Sequence, residues 1–251
     1  MKVIAVAGGT GSVGSSIVDG LVDYGKHKER PTNGAVNYLK VDYSDVDATT
    51  KALEEANVNI VICAIAVISP EANQAQKNLI QAAAQSRPTE RFVISSFDAL
   101  HMKEDVEIAP WWGYTFEAID LLEKTSLVYT RIANDWFLDY YGMPHWKTNL
   151  EPWLNVLNME SKWAAIPGDG AKFEVAVDSL EKLKSGKISF FPDYPPIGMG
   201  DGDEAFFATI HYLTGIGRYL VPRDLPFLDD KFPDLKVTTT SEVMESSWKG
   251  Q

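Results

Sequence analysis

The chain has 251 residues, with 35 acidic against 23 basic side chains, four histidines and one cysteine; at roughly 150 residues per domain, this is one large domain or a domain with a smaller partner. Apolar residues make up 45% and charged residues 23%, an ordinary globular composition. The formal net charge of −12 argues against a nucleic acid or an anionic membrane as partner, since both reward basic patches, and one cysteine excludes an internal disulfide and a thiolate metal cluster. The longest apolar run, Ile60 to Ile68, is far below the ~20 residues of a membrane helix. Lys2 leads into a short apolar run and glycines, which is not a secretory signal. These features predict a soluble, cytoplasmic protein.

Val3–Ala7 is an all-apolar run of strand length, as suits a strand buried on both faces of a parallel sheet. Gly8-Gly9-Thr10-Gly11-Ser12-Val13-Gly14 follows, and from Ser15 to Tyr24 the residues Ile17, Val18, Leu21 and Val22 recur at helical spacing. Gly25–Ala35 is polar, although a doubly wound nucleotide fold places its second strand there. Strands are then predicted at Tyr38–Asp42, Asn59–Ile68, Arg91–Ser96 and Leu127–Ile132, and helices at Asp45–Ala56, Glu71–Ser86 and Phe116–Lys124. Such alternation implies an α/β fold with a mostly parallel, doubly wound sheet over residues 1–150. Residues 151–251 are rich in Pro, Trp, Tyr and Gly and predict a smaller substrate-side lobe, with helices at Glu151–Leu157, Val177–Leu183 and Asp203–Thr214.

The glycine loop has a chemical rationale at each position. Gly8 permits the turn out of the strand, Gly11 lets backbone approach a pyrophosphate, and Gly14 lets the helix pack on the strand. The helix start at Ser12, Val13 and Gly14 offers free amides and the positive end of a dipole to the phosphates, with Thr10 in the same loop. The charge that selects a ribose hydroxyl or a 2′-phosphate normally ends the second strand. Arg30 is a candidate for the 2′-phosphate and Asp42 for the adenine side; each reads equally well as a loop or turn residue.

VAGGTGSVGSSIVDGL, VDYSD, FVISSF, LEKTSLVYTRIANDWFLDYYG and WAAIPGDG together resemble the NmrA-like and isoflavone-reductase-like branch of the atypical short-chain dehydrogenases. The resemblance runs from Met1 to about Gly170 and returns at VDSLEKLKSGK and at FPDLK…WKG. It implies a Rossmann-like domain binding NADP(H) or NAD(H), with NADP(H) favoured, a small C-terminal lobe and a small-molecule substrate from secondary metabolism. The chain departs from the family in two places. The second strand is absent around Lys28–Thr32, and Lys172-Phe173-Glu174 leads almost directly into VDSLEKLKSGK.

The catalytic residues are less clear from sequence. The Tyr-x-x-x-Lys pair of classical members occurs only as Tyr24/Lys28, at the end of the first helix, where it cannot serve hydride chemistry. The lysine of isoflavone-reductase-like enzymes corresponds here to Glu117, and Tyr114, one turn earlier, is the alternative proton donor. Ser95, Ser96 and Phe97 end a strand and face the nicotinamide in this reading. Trp111, Trp112, Asn134, Phe137 and Tyr141 supply an aromatic substrate surface, with Asn134 and Phe137 at a strand's carboxyl end, where ligands of open parallel sheets lie. Three readings stay open: an NAD(P)H-dependent reductase of a small aromatic or polyketide-like metabolite, a non-catalytic NAD(P)-sensing regulator with a protein partner, or a non-redox cyclase or isomerase. The histidines His27, His101, His145 and His211 show no metal-ligand spacing, so no metal is expected. Cys63, mid-strand among apolar residues, reads as a buried, inert thiol.

Overall fold

The computed structural model describes residues 2–23, 36–151, 157–158, 163–164, 178–189, 203–220, 222, 227–234 and 237–249. The chain divides into two compact units, Met1–Phe97 with His101–Ala133, and Asp98–Leu100 with Asn134–Gln251.

The first unit is built on four parallel strands, β1 (Ile4–Ala7), β2 (Ile60–Cys63), β3 (Arg91–Val93) and β4 (Val128–Thr130), in the spatial order β1-β2-β3-β4. Their register aligns Ile4 with Ile60, Ile60 with Arg91, and Arg91 with Val128. Helices α1 (Ser12–Asp23), α2 (Val46–Glu55), α3 (Pro70–Gln85) and α4 (Gly113–Leu122) connect and flank them. Both α2 and α3 start where a side-chain oxygen meets an otherwise unbonded amide: Ala48 N donates to Asp45 Oδ1 at 2.8 Å, and Ala72 N to Ser69 Oγ at 3.2 Å with Pro70 opening the helix. The core comprises Leu53, Val58, Val61, Cys63, Leu79, Ile80, Phe92, Ile94, Ala118 and Leu122. Each large apolar side chain buried there stabilises the fold by about 1.5–3 kcal/mol. This is a Rossmann-like α/β fold.

One expected strand is corrected. Residues 36–42 form no ladder; Tyr38 and Leu39 are exposed, and β1 pairs only with β2 among the described residues. In the order 3-2-1-4-5-6 of a doubly wound sheet, the third strand pairs with the second, not with the first. The four strands observed correspond to 1-4-5-6. Among the described residues no strand lies beside Tyr38–Asp42 for it to pair with. The other strands are shorter than their apolar runs, because pairing stops where the chain leaves the sheet at its carboxyl edge.

In the second unit, α5 (Asp139–Gly142) packs against α9 (Thr240–Trp248), and α6 (Leu180–Lys184) against α7 (Asp203–Gly215). A short α8 (Leu228–Lys231) and an antiparallel pair, β5 (Leu157–Asn158) with β6 (Trp163–Ala164), complete the described elements. Leu157, expected to end a helix, lies in β5; residues 152–156 of that predicted helix lie outside the described residues. Thr239 and Glu242 cap α9 reciprocally, with Glu242 N donating to Thr239 Oγ1 at 3.2 Å and Thr239 N to Glu242 Oε2 at 2.8 Å. The division between units falls at Ala133–Asn134, just past β4, with Asp98–Leu100 assigned to the second unit.

Candidate functional site

The glycine turn joins β1 to α1. Gly8 has φ +77°, and a Cβ there would lie 2.7 Å from Ala64 O, just past β2. The close approach at Gly14 is tighter still: a Cβ would meet Gly8 O at 2.0 Å, so a side chain at either position displaces backbone. Gly9 carries a similar demand, with Val6 O at 2.9 Å, which the motif reading did not assign. Gly11 differs. Among the described residues its added Cβ meets only Gly8 O, at 3.3 Å, so these leave its outer side open.

The first intrahelical bond runs from Ser15 N to Gly11 O at 2.8 Å. The amides of Ser12, Val13 and Gly14 precede it, where a helix start leaves donors without an intrahelical acceptor. No acidic residue stands in this first turn. An open glycine, helix-start amides and no opposing charge fit a pyrophosphate. Thr10 is exposed at the tip. Tyr43 packs beside the turn; burial raises its phenol, opposed by a hydrogen bond from the Gly8 backbone. Asp42 next to it accepts from Ser44 N and Ser44 Oγ at 2.9 and 2.7 Å, and these bonds hold its carboxyl below the usual range. The structure thus places Asp42 in the turn that leads into α2. Arg30 lies outside the described residues.

At the carboxyl end of β3, Ser95, Ser96 and Phe97 sit between α3 and the end of β4. Ser95 N donates to Gln76 Oε1 at 3.3 Å, and Ser95 Oγ to Ile65 O at 2.6 Å. Arg131 Nε donates to Ser96 Oγ at 3.1 Å and its Nη2 to His101 O at 3.0 Å. The His101 ring stacks on Trp112 at 4.4 Å and meets Phe116 edge-on at 5.7 Å. Trp112 is therefore buried in this stack, while Trp111 keeps part of its surface exposed.

Tyr114 and Glu117 share α4. Glu117 Oε2 accepts from Asn73 Nδ2 at 2.9 Å and Lys77 Nζ at 3.0 Å, both from α3. The Asn73 bond first, then Lys77, holds its carboxyl below the usual range, so it is ionised at neutral pH. Tyr114, half-buried, opens the same helix.

The remaining substrate-side residues belong to the second unit. Asn134 Nδ2 donates to Asp135 O at 3.4 Å, Phe137 meets Tyr140 edge-on at 6.1 Å, and Tyr141 O accepts from Trp248 Nε1 at 2.8 Å. Beside them lies a group absent from the sequence reading. Asp135 has φ +60°, and burial together with the Asp98 charge pushes its carboxyl up to about 6. Tyr219 OH donates to Asp98 Oδ1 at 3.2 Å and stacks on Trp136 at 4.9 Å. The Asn-Asp pair closing a strand was the available sequence signal, since both residues favour turns and the left-handed region. Among the described residues no His, Cys, Asp and Glu group could hold a metal, and no helix is long and apolar enough to cross a membrane.

A parallel sheet with this glycine turn at its first strand–helix junction defines a dinucleotide-binding class. Comparison with known sequences agrees: a family described as NAD(P)H-binding matches residues 8–144. The match covers more than half of the chain, which belongs to this family. Oxidoreductase BOA1 of Botryotinia fuckeliana is 36% identical over 177 residues, 66% of this chain and 59% of that protein. Oxidoreductase swnN of Metarhizium robertsii is 25% identical over 333 aligned positions, covering 99% of this chain and 98% of that protein. The chain thus spans 59% of the length of BOA1, and the swnN alignment, longer than the chain itself, opens gaps inside it. Among solved structures, pinoresinol-lariciresinol and phenylcoumaran benzylic ether reductases show 18% identity, TM-score 0.46 and coverage of 56% of this chain and 52% of that one. The leucoanthocyanidin reductase–NADPH complex of Vitis vinifera shows 19%, 0.44, 55% and 49%.

Proposed function

We propose that the chain is an NAD(P)H-dependent oxidoreductase acting on a small, aromatic or polyketide-like metabolite, with NADP(H) as the preferred cofactor. The observation that carries this reading is the glycine turn, in which Gly8 and Gly14 are fixed by backbone contact and Gly11 is left open. The turn lies inside the NAD(P)H-binding match, and the curated relatives named above are oxidoreductases. Gly11 and the Ser12–Gly14 amides hold the pyrophosphate, and Ser95, Ser96 and Phe97 border the nicotinamide end. The bound dinucleotide supplies or accepts a hydride. Trp111, Asn134, Phe137 and Tyr141 are the proposed substrate contacts. Of the two residues on α4, Glu117 is kept ionised by Asn73 and Lys77, which leaves Tyr114 as the group able to give a proton to the substrate.

The same ion pair favours a second reading. A carboxylate tied to α3, at the position where the resemblance to isoflavone-reductase-like enzymes implies a lysine, suits a regulator that binds the dinucleotide without turnover. Titration with NADPH and NADH, followed by the loss of NADPH absorbance against a panel of carbonyl and enone metabolites, separates the two. Binding with turnover supports the enzyme, binding without turnover the sensor. Gly11→Val, whose Cβ meets only Gly8 O among the described residues, should fold and lose cofactor binding. Unchanged binding in that variant would overturn the assignment of the turn.

A further inference from the structure

The segment Ser95–Ser96 is held from two sides by side chains to which no role has been given. Gln76 on α3 is fully buried, and its Oε1 takes the Ser95 amide; among the described residues its buried Nε2 has no hydrogen-bond partner, nor does Asn73 Oδ1 one turn earlier. Such an amide is a poor choice for packing alone, because a buried polar atom left unbonded is penalised where Leu or Met would not be. On the other side the Arg131 guanidinium bridges Ser96 Oγ and His101 O, with the Phe116 ring 5.8 Å away.

These bonds also fix which hydroxyl donates and which accepts. Guanidinium carries donors only, so Ser96 Oγ accepts from Arg131 and its own proton is left to donate. Ser95 does the reverse: its hydroxyl donates to Ile65 O and its amide to Gln76, leaving oxygen lone pairs to accept. Between them the two hydroxyls, that of Ser96 buried, keep one acceptor and one donor in hand, the two functions a carboxamide pairs with.

We infer that Gln76 and Arg131 are positioning residues that hold Ser95 and Ser96 as an acceptor–donor pair for the nicotinamide carboxamide. This rests on the proposed cofactor site.

The test compares binding of NADP+ with 2′-phospho-ADP-ribose, which lacks the nicotinamide, in the wild-type chain and in Gln76→Leu, Gln76→Glu and Arg131→Met. Loss of a hydrogen bond to a charged or buried partner corresponds to about tenfold or more in affinity. Gln76→Leu and Arg131→Met should weaken NADP+ by that factor and leave 2′-phospho-ADP-ribose within about twofold. Gln76→Glu keeps an acceptor for the Ser95 amide and should bind NADP+ like wild type. The 3-acetylpyridine analogue of NADP+, without the N–H donor, should bind wild type less tightly than NADP+ and lose that difference in the variants. Equal weakening of both ligands, or of neither, overturns the inference; if Gln76→Leu does not fold, Arg131→Met decides. A wild-type chain that binds neither NADP+ nor NAD+ overturns the cofactor reading itself, a distinct result.

Discussion

Helices α1 and α3 both follow a strand of the parallel sheet, and both carry a clear apolar face. Their outcomes differ. α3 buries Asn73, Gln76, Leu79, Ile80, Ala82 and Ala83, lying between α2 and α4. α1 packs on β1, and Gly14 is its one buried residue, with Ile17, Val18 and Leu21 partly exposed and Val22 at 37%. Amphipathic spacing sets which face of a helix turns inward; what the sheet and the neighbouring helices offer sets how much of it is covered. α3 is held by packing, and α1 by the contact between Gly14 and Gly8. A helix anchored mainly by one close backbone approach leaves its first turn available to a ligand.

The largest expected effect is on α3. Ile80→Ala should lower the unfolding free energy by about 4 kcal/mol, against about 1 kcal/mol for Ile17→Ala on α1; equal losses in urea unfolding would break the comparison. Next comes Gly14→Ala, which forces α1 away from the turn at a cost of about 3 kcal/mol and should lose NADPH binding. On the same helix Gly20 has no described residue within 4 Å of an added Cβ. Gly20→Ala should therefore gain about 1 kcal/mol from helix propensity, visible as a raised melting temperature.

Asp135 gives a pH-dependent effect of similar size. Its carboxyl, pushed up to about 6, binds its proton more tightly folded than unfolded, where the value is about 3.9. Folding therefore loses stability as pH rises from about 4 to 6, and the loss persists above. Discounted for the partial exposure of the group, Asp135→Asn should stabilise the chain by on the order of 1 kcal/mol at pH 7.5 and by much less at pH 4; identical gains at both would remove the charge argument.

The smallest effect belongs to Glu117→Gln. Its carboxyl is depressed, so its contribution is present above the unfolded value of about 4.3 and lost as pH falls below it. For a pair with Glu117 half-exposed, that contribution is under about 1 kcal/mol. A larger loss at pH 7 would mean that α4 depends on Lys77 for more than this pair.

Apolar runs and caps made most of the first unit readable. Asp45 and Ser69 mark helix starts by side-chain chemistry alone, and β1 through β4 are runs with no competing pattern. The glycine turn was readable because each glycine answers a separate steric demand. Tyr38–Asp42 misled because its alternation is genuine but a strand also needs a neighbour to pair with, which no described residues provide. Gln76 and Arg131 were hidden for the opposite reason. A polar residue on a helix, or a cation after a strand, looks ordinary until the fold brings both to Ser95 and Ser96. The left-handed backbone of Asp135 was signalled only by the Asn-Asp pair, and its φ of +60° came from the fold.

Cys63 has a practical consequence. It is the chain's one sulfhydryl, fully buried at the end of β2, and burial pushes its thiol up to about 12. A thiol reagent can consume it only when the sheet opens. The rate of that labelling in the unaltered chain is thus a clock for opening events in the first unit. Adding cofactor should slow the clock by the factor with which binding favours the closed state.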